Sequence, residues 1–321
     1  MTSPAGPLVS VVLSFRNEAE NLPVLIARLT AMFAAEPVAY ELLFVNDAST
    51  DGSVEILTRL RAADPRIKII TMSRRFGVAE CARAGFAYAR GQAVIYMDCD
   101  LQDPPEVIPR LLAAWREGAE VVHTVRSRRE GESRLKVWLV ARAYRLIRFG
   151  ATIELPVDAG DFKLLSRRAV EHVLALTESD PYLRGQVVWI GFKQVAISYV
   201  REGRHGGRTH FPFFSRNPWK TFLVGLTSFS FGPIYAIALL AGLGLVASVT
   251  TAVAAVWMRT QADPSATVAG WVALATFFWA TLLGALAVVG LYVLRAYKDI
   301  RRRPPYIVAS TVGIEKTSES A

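Results

Sequence analysis

Two long stretches without a charged residue set the strongest limit on how this chain can fold. One lies between Lys220 and Arg259, the other between Asp263 and Arg295. Each is long enough for a helix that crosses the roughly 30 Å hydrocarbon core of a bilayer. The pattern predicts spans over 231–257 and 268–294, joined by a short, nearly neutral link. Both outer flanks are basic, notably Arg295, Lys298, Arg301, Arg302 and Arg303, which places both termini in the cytoplasm. Ala238 and Gly242 on one span, and Ala280 and Gly284 on the other, are small residues four apart, a spacing that permits close helix packing. Ahead of the first span, Trp219, Phe222, Leu223 and Leu226 recur at i, i+3, i+4 and i+7. That stripe reads as an amphipathic helix over 217–230 lying in the lipid interface, or as the start of the spanning helix.

The net charge of +9 raises the question of nucleic acid. The basic residues flank apolar segments, where they meet anionic lipid headgroups instead. No zinc knuckle, RNA-binding aromatic motif or helix-turn-helix signature accompanies them. The first seven residues show no basic segment leading into an apolar one, so a secretory signal is not expected. Cys81 and Cys99 form no disulfide framework or metal-ligand spacing and read as small buried residues.

Before Lys220 the composition is that of a globular domain. Strand-like runs at Val9–Leu13, Glu41–Val45, Ile67–Ile70, Ala93–Asp98 and Val121–Val125 alternate with helical spacing at Asn21–Phe33, Ser53–Ala62 and Ala79–Ala89. Such alternation predicts an open, mainly parallel α/β sheet flanked by helices. Residues 126–148 are basic and helix-prone, Asp158–Phe162 reads as a second acidic turn, and 166–176 read as helix. The fourth strand runs into Met97-Asp98-Cys99-Asp100-Leu101-Gln102-Asp103-Pro104-Pro105. Ligands of open α/β sheets collect at the carboxyl ends of strands. Carboxylates so close repel unless a cation or a protonation shift relieves them. Oxygen donors there suit Mg²⁺ or Mn²⁺, and such a cation suits a diphosphate. The plainer alternative is an acidic loop with helix caps.

Four segments carry a family resemblance: Ser14-Phe15-Arg16-Asn17-Glu18, Val45-Asn46-Asp47-Ala48-Ser49-Thr50-Asp51-Gly52-Ser53, Asp98 to Pro105, and Asp161-Phe162-Lys163-Leu164-Leu165-Ser166-Arg167-Arg168. With two C-terminal spans they resemble the polyprenyl-phosphate glycosyltransferases, the dolichol-phosphate-mannose-synthase-like branch of family 2, over residues 8 to about 295. The resemblance implies a GT-A (Rossmann-like) domain over 1–216, followed by the interfacial helix, a two-helix membrane hairpin over 231–295 and a basic cytoplasmic tail over 296–321. It implies that Asn17, Glu18 and Asp47 line the pocket of a nucleotide sugar. Asp98 would face the donor sugar or ribose, and Asp100 and Gln102 would hold the divalent cation. Asp47 also fits a turn residue ahead of a helix. Basic residues after the fifth strand, Arg126, Arg129, Arg134 and Lys136, would hold the acceptor's phosphate; without the resemblance they read as a solvated helical face. Asp161 would be the catalytic carboxylate, or else a helix cap or a partner for Arg167 or Arg168.

The activity implied is inverting transfer of one sugar from a nucleotide diphosphate sugar to a polyprenyl phosphate. The enzyme would be integral to a bacterial inner membrane and homo-oligomeric. UDP-glucose leads among donors, with N-acetylated or amino sugars and mannose open. The chain departs from the usual pattern at Ser14-Phe15-Arg16, where relatives have Pro-x-Tyr, at Arg75, where many have Asn, and at Gly207-Arg208-Thr209-His210-Phe211, where Gly-x-Ser-Lys-Tyr is usual. Two rivals remain. A processive polysaccharide synthase usually carries Gln-x-x-Arg-Trp, which Gln186-Val187-Val188-Trp189 lacks. A non-catalytic membrane scaffold would not need the intact Asp-x-Asp. A dinucleotide-dependent oxidoreductase is excluded, because no Gly-x-Gly-x-x-Gly turn follows the first strand.

Overall fold

The structure, a computed structural model, describes residues 9–36, 38–129, 159–202, 230, 232–259 and 264–314. The first half winds as β1 (Val9–Phe15), α1 (Asn21–Ala35), β2 (Tyr40–Asn46), α2 (Ser53–Ala63), β3 (Ile67–Met72), α3 (Val78–Tyr88), β4 (Ala93–Asp98) and, after a 3-10 turn, α4 (Ile108–Arg116). Then come β5 (Val121–Arg129), β6 (Ala159–Ser166), α5 (Arg167–Ala175), α6 (Leu183–Trp189) and β7 (Gln194–Arg201). Two long helices, α7 (Gly232–Arg259) and α8 (Pro264–Ile300), precede a last strand, β8 (Val308–Val312).

The strands form one sheet in the order β7-β5-β6-β4-β1-β2-β3-β8. β1 pairs parallel with both β2 and β4, and β2 pairs parallel with β3. The centre is therefore the parallel sheet that the strand–helix alternation predicts. β1 and β2 are buried at every position, which is why they read as mainly apolar runs. α3 lies so close over β1 that a Cβ at Gly85 would stand 2.1 Å from Val12 Cγ1, so only glycine fits there.

Two antiparallel strands depart from the sequence reading. Asp161 lies in β6, between β4 and β5, rather than in a turn. Asp161 and Lys163 alternate with apolar residues along this strand, and Lys163 is 1% exposed in the core, a tertiary environment that local polarity hides. β8 falls within the segment read as a basic tail and pairs with the outer edge of β3. Arg126, expected on a helix, extends β5, because pairing with β7 carries that strand through Arg129.

α7 and α8 exceed the predicted spans, and both are long and apolar enough to cross a membrane. Leu245, Trp257 and Trp279 are each about two-thirds exposed, so the protein itself does not cover these helices. The expected small-residue contacts do not form. A Cβ at Gly242 or Gly284 would meet nothing within 4 Å, whereas Gly244 packs on Phe277 and Phe278. The stripe at Trp219, Phe222, Leu223 and Leu226 lies outside the described residues.

Candidate active site

The chain leaves β1 for β2 and β3 on one side, then returns to place β4 on the other. That reversal opens a crevice beyond the carboxyl ends of β1 and β4, the usual ligand position in such sheets. Sharp turns mark the spot. Asn17 after β1, Ala48 after β2 and Leu101 after β4 all have positive φ, at 56°, 53° and 58°. Left-handed backbone costs a non-glycine residue about 1–2 kcal/mol. At Asn17 and Ala48 the cost is met by specific bonds. Arg16 donates to the carbonyls of Asp47 and Ala48, both at 2.7 Å. The Asn17 side chain accepts from Thr50 N at 2.8 Å, and its own N–H donates to Ser49 Oγ at 3.0 Å. Glu18 N–H donates to Ser53 Oγ, and Glu18 accepts from Asn21. Asn17 and Glu18 thus sit together, braced against the β2–α2 loop.

Asp47 is 8% exposed, and its Oδ1 accepts from Phe76 N at 2.7 Å and Gly77 N at 3.4 Å. The turn-forming role open to Asp47 belongs to its neighbours instead: Asn46 accepts from Ser49 N, and Asp51 from Ser53 N. Asp47 anchors the β3–α3 loop beside the crevice.

At the acidic tip, Ser14 Oγ lies 2.7 Å from Tyr96 Oη and donates to Asp98 Oδ1 at 3.3 Å. Tyr96 Oη also donates to Asp98, at 3.5 Å. Loss of water and then the charges of Asp100, Asp161 and Asp103 push the Asp98 carboxyl up to about 8, against the pull of Arg201. Asp100 accepts from Gln102 N at 3.2 Å, so the two residues expected to hold a cation share one tight turn. Asp103, 2% exposed, accepts from Arg201 at 3.2 Å and from Tyr199 Oη, which ties the tip to β7.

Asp161 receives a two-pronged grip from Arg184 of α6, at 2.8 and 2.7 Å. Burial works to raise this carboxyl, but Arg184, aided by Lys163 and Arg126, holds it below the usual carboxylate range. Its partner is therefore neither Arg167, which donates to the carbonyls of Ala89 and Gly91, nor Arg168, which packs over Phe192. Burial lowers Lys163 to about 8. Arg126 lies against Gly160, where a Cβ would come within 3.3 Å of its guanidinium. Of the other basic residues expected at the acceptor site, Arg129 ends β5, and Arg134 and Lys136 lie outside the described residues.

The expected donor set, the Asp100 carboxylate and the Gln102 amide oxygen, is all oxygen and suits a hard divalent cation. Among the described residues no three His, Cys, Asp or Glu side chains are grouped to hold a metal. Mg²⁺ commonly takes one or two protein carboxylates and completes its shell with water and substrate phosphates.

The sequence reading missed Arg184, Tyr199 and Arg201. Tyr199 and Arg201 stand two apart on β7, a period-2 signal that the flanking polar residues obscure. Arg184 gives no local signal, because its partner lies on another element.

Residues 10–174 match the family described as "Glycosyl transferase family 2". The chain is 38% identical to the "Uncharacterized glycosyltransferase YkcC" of Bacillus subtilis, over 95% of this chain and 94% of that protein. It is 32% identical to the "Bactoprenol glucosyl transferase" of Shigella phage SfII, over 94% and 97%. Among solved structures, a mannosyltransferase from Pyrobaculum calidifontis in complex with GDP-Man and Mn²⁺ is 18% identical, covers 92% of this chain and 88% of its own, and superposes with a TM-score of 0.46.

Proposed function

Because the chain belongs to glycosyl transferase family 2, we propose that it transfers one glucose from UDP-glucose to the phosphate of a membrane polyprenyl phosphate, with inversion. The enzyme is then a polyprenyl-phosphate glycosyltransferase with a GT-A domain on the cytoplasmic side. The observation that carries this reading is the pairing of Ser14 with Asp98, which sets the Asn17–Glu18 turn after β1 beside the acidic tip after β4, in a chain whose C-terminal helices are long and apolar. Names of relatives that act on bactoprenol support the acceptor and the sugar.

The roles proposed are these. Asn17 and Glu18, with the loop that Asp47 anchors, line the nucleotide pocket. Asp98 faces the donor's ribose or sugar. When bound at Asp100 and Gln102, a divalent cation supplies Lewis-acid neutralisation of charge on the departing diphosphate. Arg126 takes the acceptor phosphate, since a guanidinium fork matches phosphate oxygens. Arg129, Arg134 and Lys136 are proposed to serve the same phosphate. A phosphate monoester has a second pKa of about 6, so the acceptor is already largely ionised at neutral pH. A strong base is unnecessary, and Asp161 is a weak one. Asp161 therefore orients the reacting groups. The acceptor's tail holds it in the bilayer by about 0.8 kcal/mol per buried CH₂, so the enzyme must come to it.

The test is to incubate membranes containing the protein with a panel of labelled nucleotide sugars and to identify the lipid-extracted product. A single glucose on a polyprenyl phosphate is expected, made in the presence of Mg²⁺ or Mn²⁺. Asp100→Ala is expected to lower turnover by about 10²–10³-fold, the scale of losing one electrostatic contact to a transition state. Unchanged turnover in that variant removes the metal role from Asp100, and a product of many sugars makes the enzyme a polymerase.

A further inference from the structure

The end of α5 and the loop that leads from it to α6 are held by two separate elements. From within the domain, Arg83 of α3, 4% exposed, donates to the carbonyls of Val173, Leu174 and Leu176 at 2.9, 3.0 and 2.7 Å. The last turns of α8 grip the loop. Ser179 N donates to Asp299 at 2.8 Å, and its hydroxyl donates to the Lys298 carbonyl at 2.8 Å. Lys298 Nζ lies 2.6 Å from Asp180, and Arg295 lies 3.4 Å from Glu178. The loop then enters α6, whose second residue is Arg184, the partner of Asp161. A continuous set of contacts thus runs from the end of an apolar helix to a carboxylate in the crevice.

α6 is only 7 residues long and has no side-chain cap at its start. A helix this short does not hold itself in place. What fixes Arg184 is the packing of α6 on the domain and the grip on the loop ahead of it. The bidentate bond then fixes both oxygens of Asp161. We propose that the end of α8 is a positioning element for the transfer reaction: by gripping Glu178–Asp180 it sets Arg184, and Arg184 sets Asp161. Arg184, Asp180 and Lys298 are positioning residues, and none needs to touch substrate. The inference rests on the orienting role given to Asp161 above. It adds that the membrane hairpin is part of the catalytic apparatus and not merely its anchor.

A charge swap in the full chain, reconstituted in vesicles, tests this. Lys298→Glu and Asp180→Lys, each alone, break the pair; together they restore it with the charges exchanged. Each single variant is expected to lower kcat for transfer about tenfold, as a misplaced catalytic group does, with the KM for the sugar nucleotide little changed. The double variant is expected to recover most of that loss. Arg184→Lys, which keeps the charge but loses the fork, is expected to show the same fall in kcat with KM preserved. Melting temperatures separate positioning from folding, because a purely structural contact would lower them without splitting kcat from KM. Indifferent single variants, losses that add in the double, or a change in KM alone each overturn the proposal. If the unaltered chain makes no glycolipid from any sugar nucleotide, the functional reading falls and the relay falls with it. An active chain with indifferent variants removes the relay alone.

Discussion

Asp98 and Asp161 stand on neighbouring antiparallel strands, where the pairing of Val94 with Leu165 and of Tyr96 with Lys163 leads them toward each other. They meet opposite surroundings. Asp98 has hydroxyls for partners, and loss of water raises it to about 8. Asp161 has Arg184 and stays below the usual carboxylate range despite its burial. Two carboxyls whose environments pull them apart can divide two tasks within one site. Replacing Arg184 by Met leaves only the weaker pull of Lys163 and Arg126 against burial at Asp161, so that carboxyl must rise. The acid limb of the kcat profile is expected to move up by about 1–3 pH units, the scale of one adjacent opposite charge. An unmoved limb would show that Asp161 does not govern the rate. His123 offers a separate test of the fold. Burial, then the charge of Lys163, lowers it to about 4, while its Nε2 bonds Gln194 at 2.7 Å. The unfolded chain takes up this proton near pH 6.5, and the folded chain only near 4. Stability attributable to this group is therefore intact above about 6.5 and falls as pH drops toward 4, by about 1–3 kcal/mol in all. His123→Gln is expected to flatten that part of a melting-temperature profile measured from pH 7.5 to 4.5.

Elements differed in how openly the sequence announced them. β1, β2 and β4 are buried on both faces, so each leaves a mainly apolar run that needs no tertiary context to be read. The acidic tip was legible for the same reason: it follows such a run directly. β6 was not, because Lys163 is a buried lysine, and the carboxylate that offsets its charge, Asp161, is itself gripped by Arg184 from a helix, a partner that no local pattern reveals. β8 is an edge strand, paired on one side only, and its central Ser310 and Thr311 carry no alternating pattern. Its consequence reaches the crevice. Ser73 N donates to the Ile307 carbonyl at the end of β3, and in the loop that follows, Phe76 and Gly77 donate to Asp47. Truncation after Arg303 removes β8 and bares the edge of β3. The melting temperature is expected to fall, and the KM for the sugar nucleotide to rise several-fold more than kcat changes. A truncated chain that binds donor normally would uncouple this strand from the Asp47 loop.

At the scale of the whole molecule, length is the informative quantity. α8 has 37 residues, which at 1.5 Å each is about 55 Å, well beyond the roughly 30 Å of hydrocarbon. Under the proposed function its charge-free part would cross the bilayer, while the end from Arg295 onward meets the α/β domain at Glu178 and Asp180. On that reading α8 would be both anchor and spacer, and would set the height of the crevice above the headgroups. Inserting four residues between Val289 and Gly290 keeps the helix but lengthens it by about 6 Å and turns its end by about 40°. The junction with Glu178–Asp180 then either carries the domain away from the membrane or breaks. In both cases a long-chain acceptor, fixed at the surface by its buried tail, is presented at the wrong height. Transfer to a long-chain polyprenyl phosphate in vesicles is expected to fall by about 10²-fold, the penalty of misplacing a reacting group. A short-chain, water-soluble prenyl phosphate can follow the crevice wherever it goes. If lifting the domain is the fault, the soluble acceptor keeps most of its rate. If the Arg184–Asp161 alignment is the fault, both acceptors lose together. Equal activity of the lengthened and natural chains on the membrane-bound acceptor would show that α8 sets neither height nor alignment.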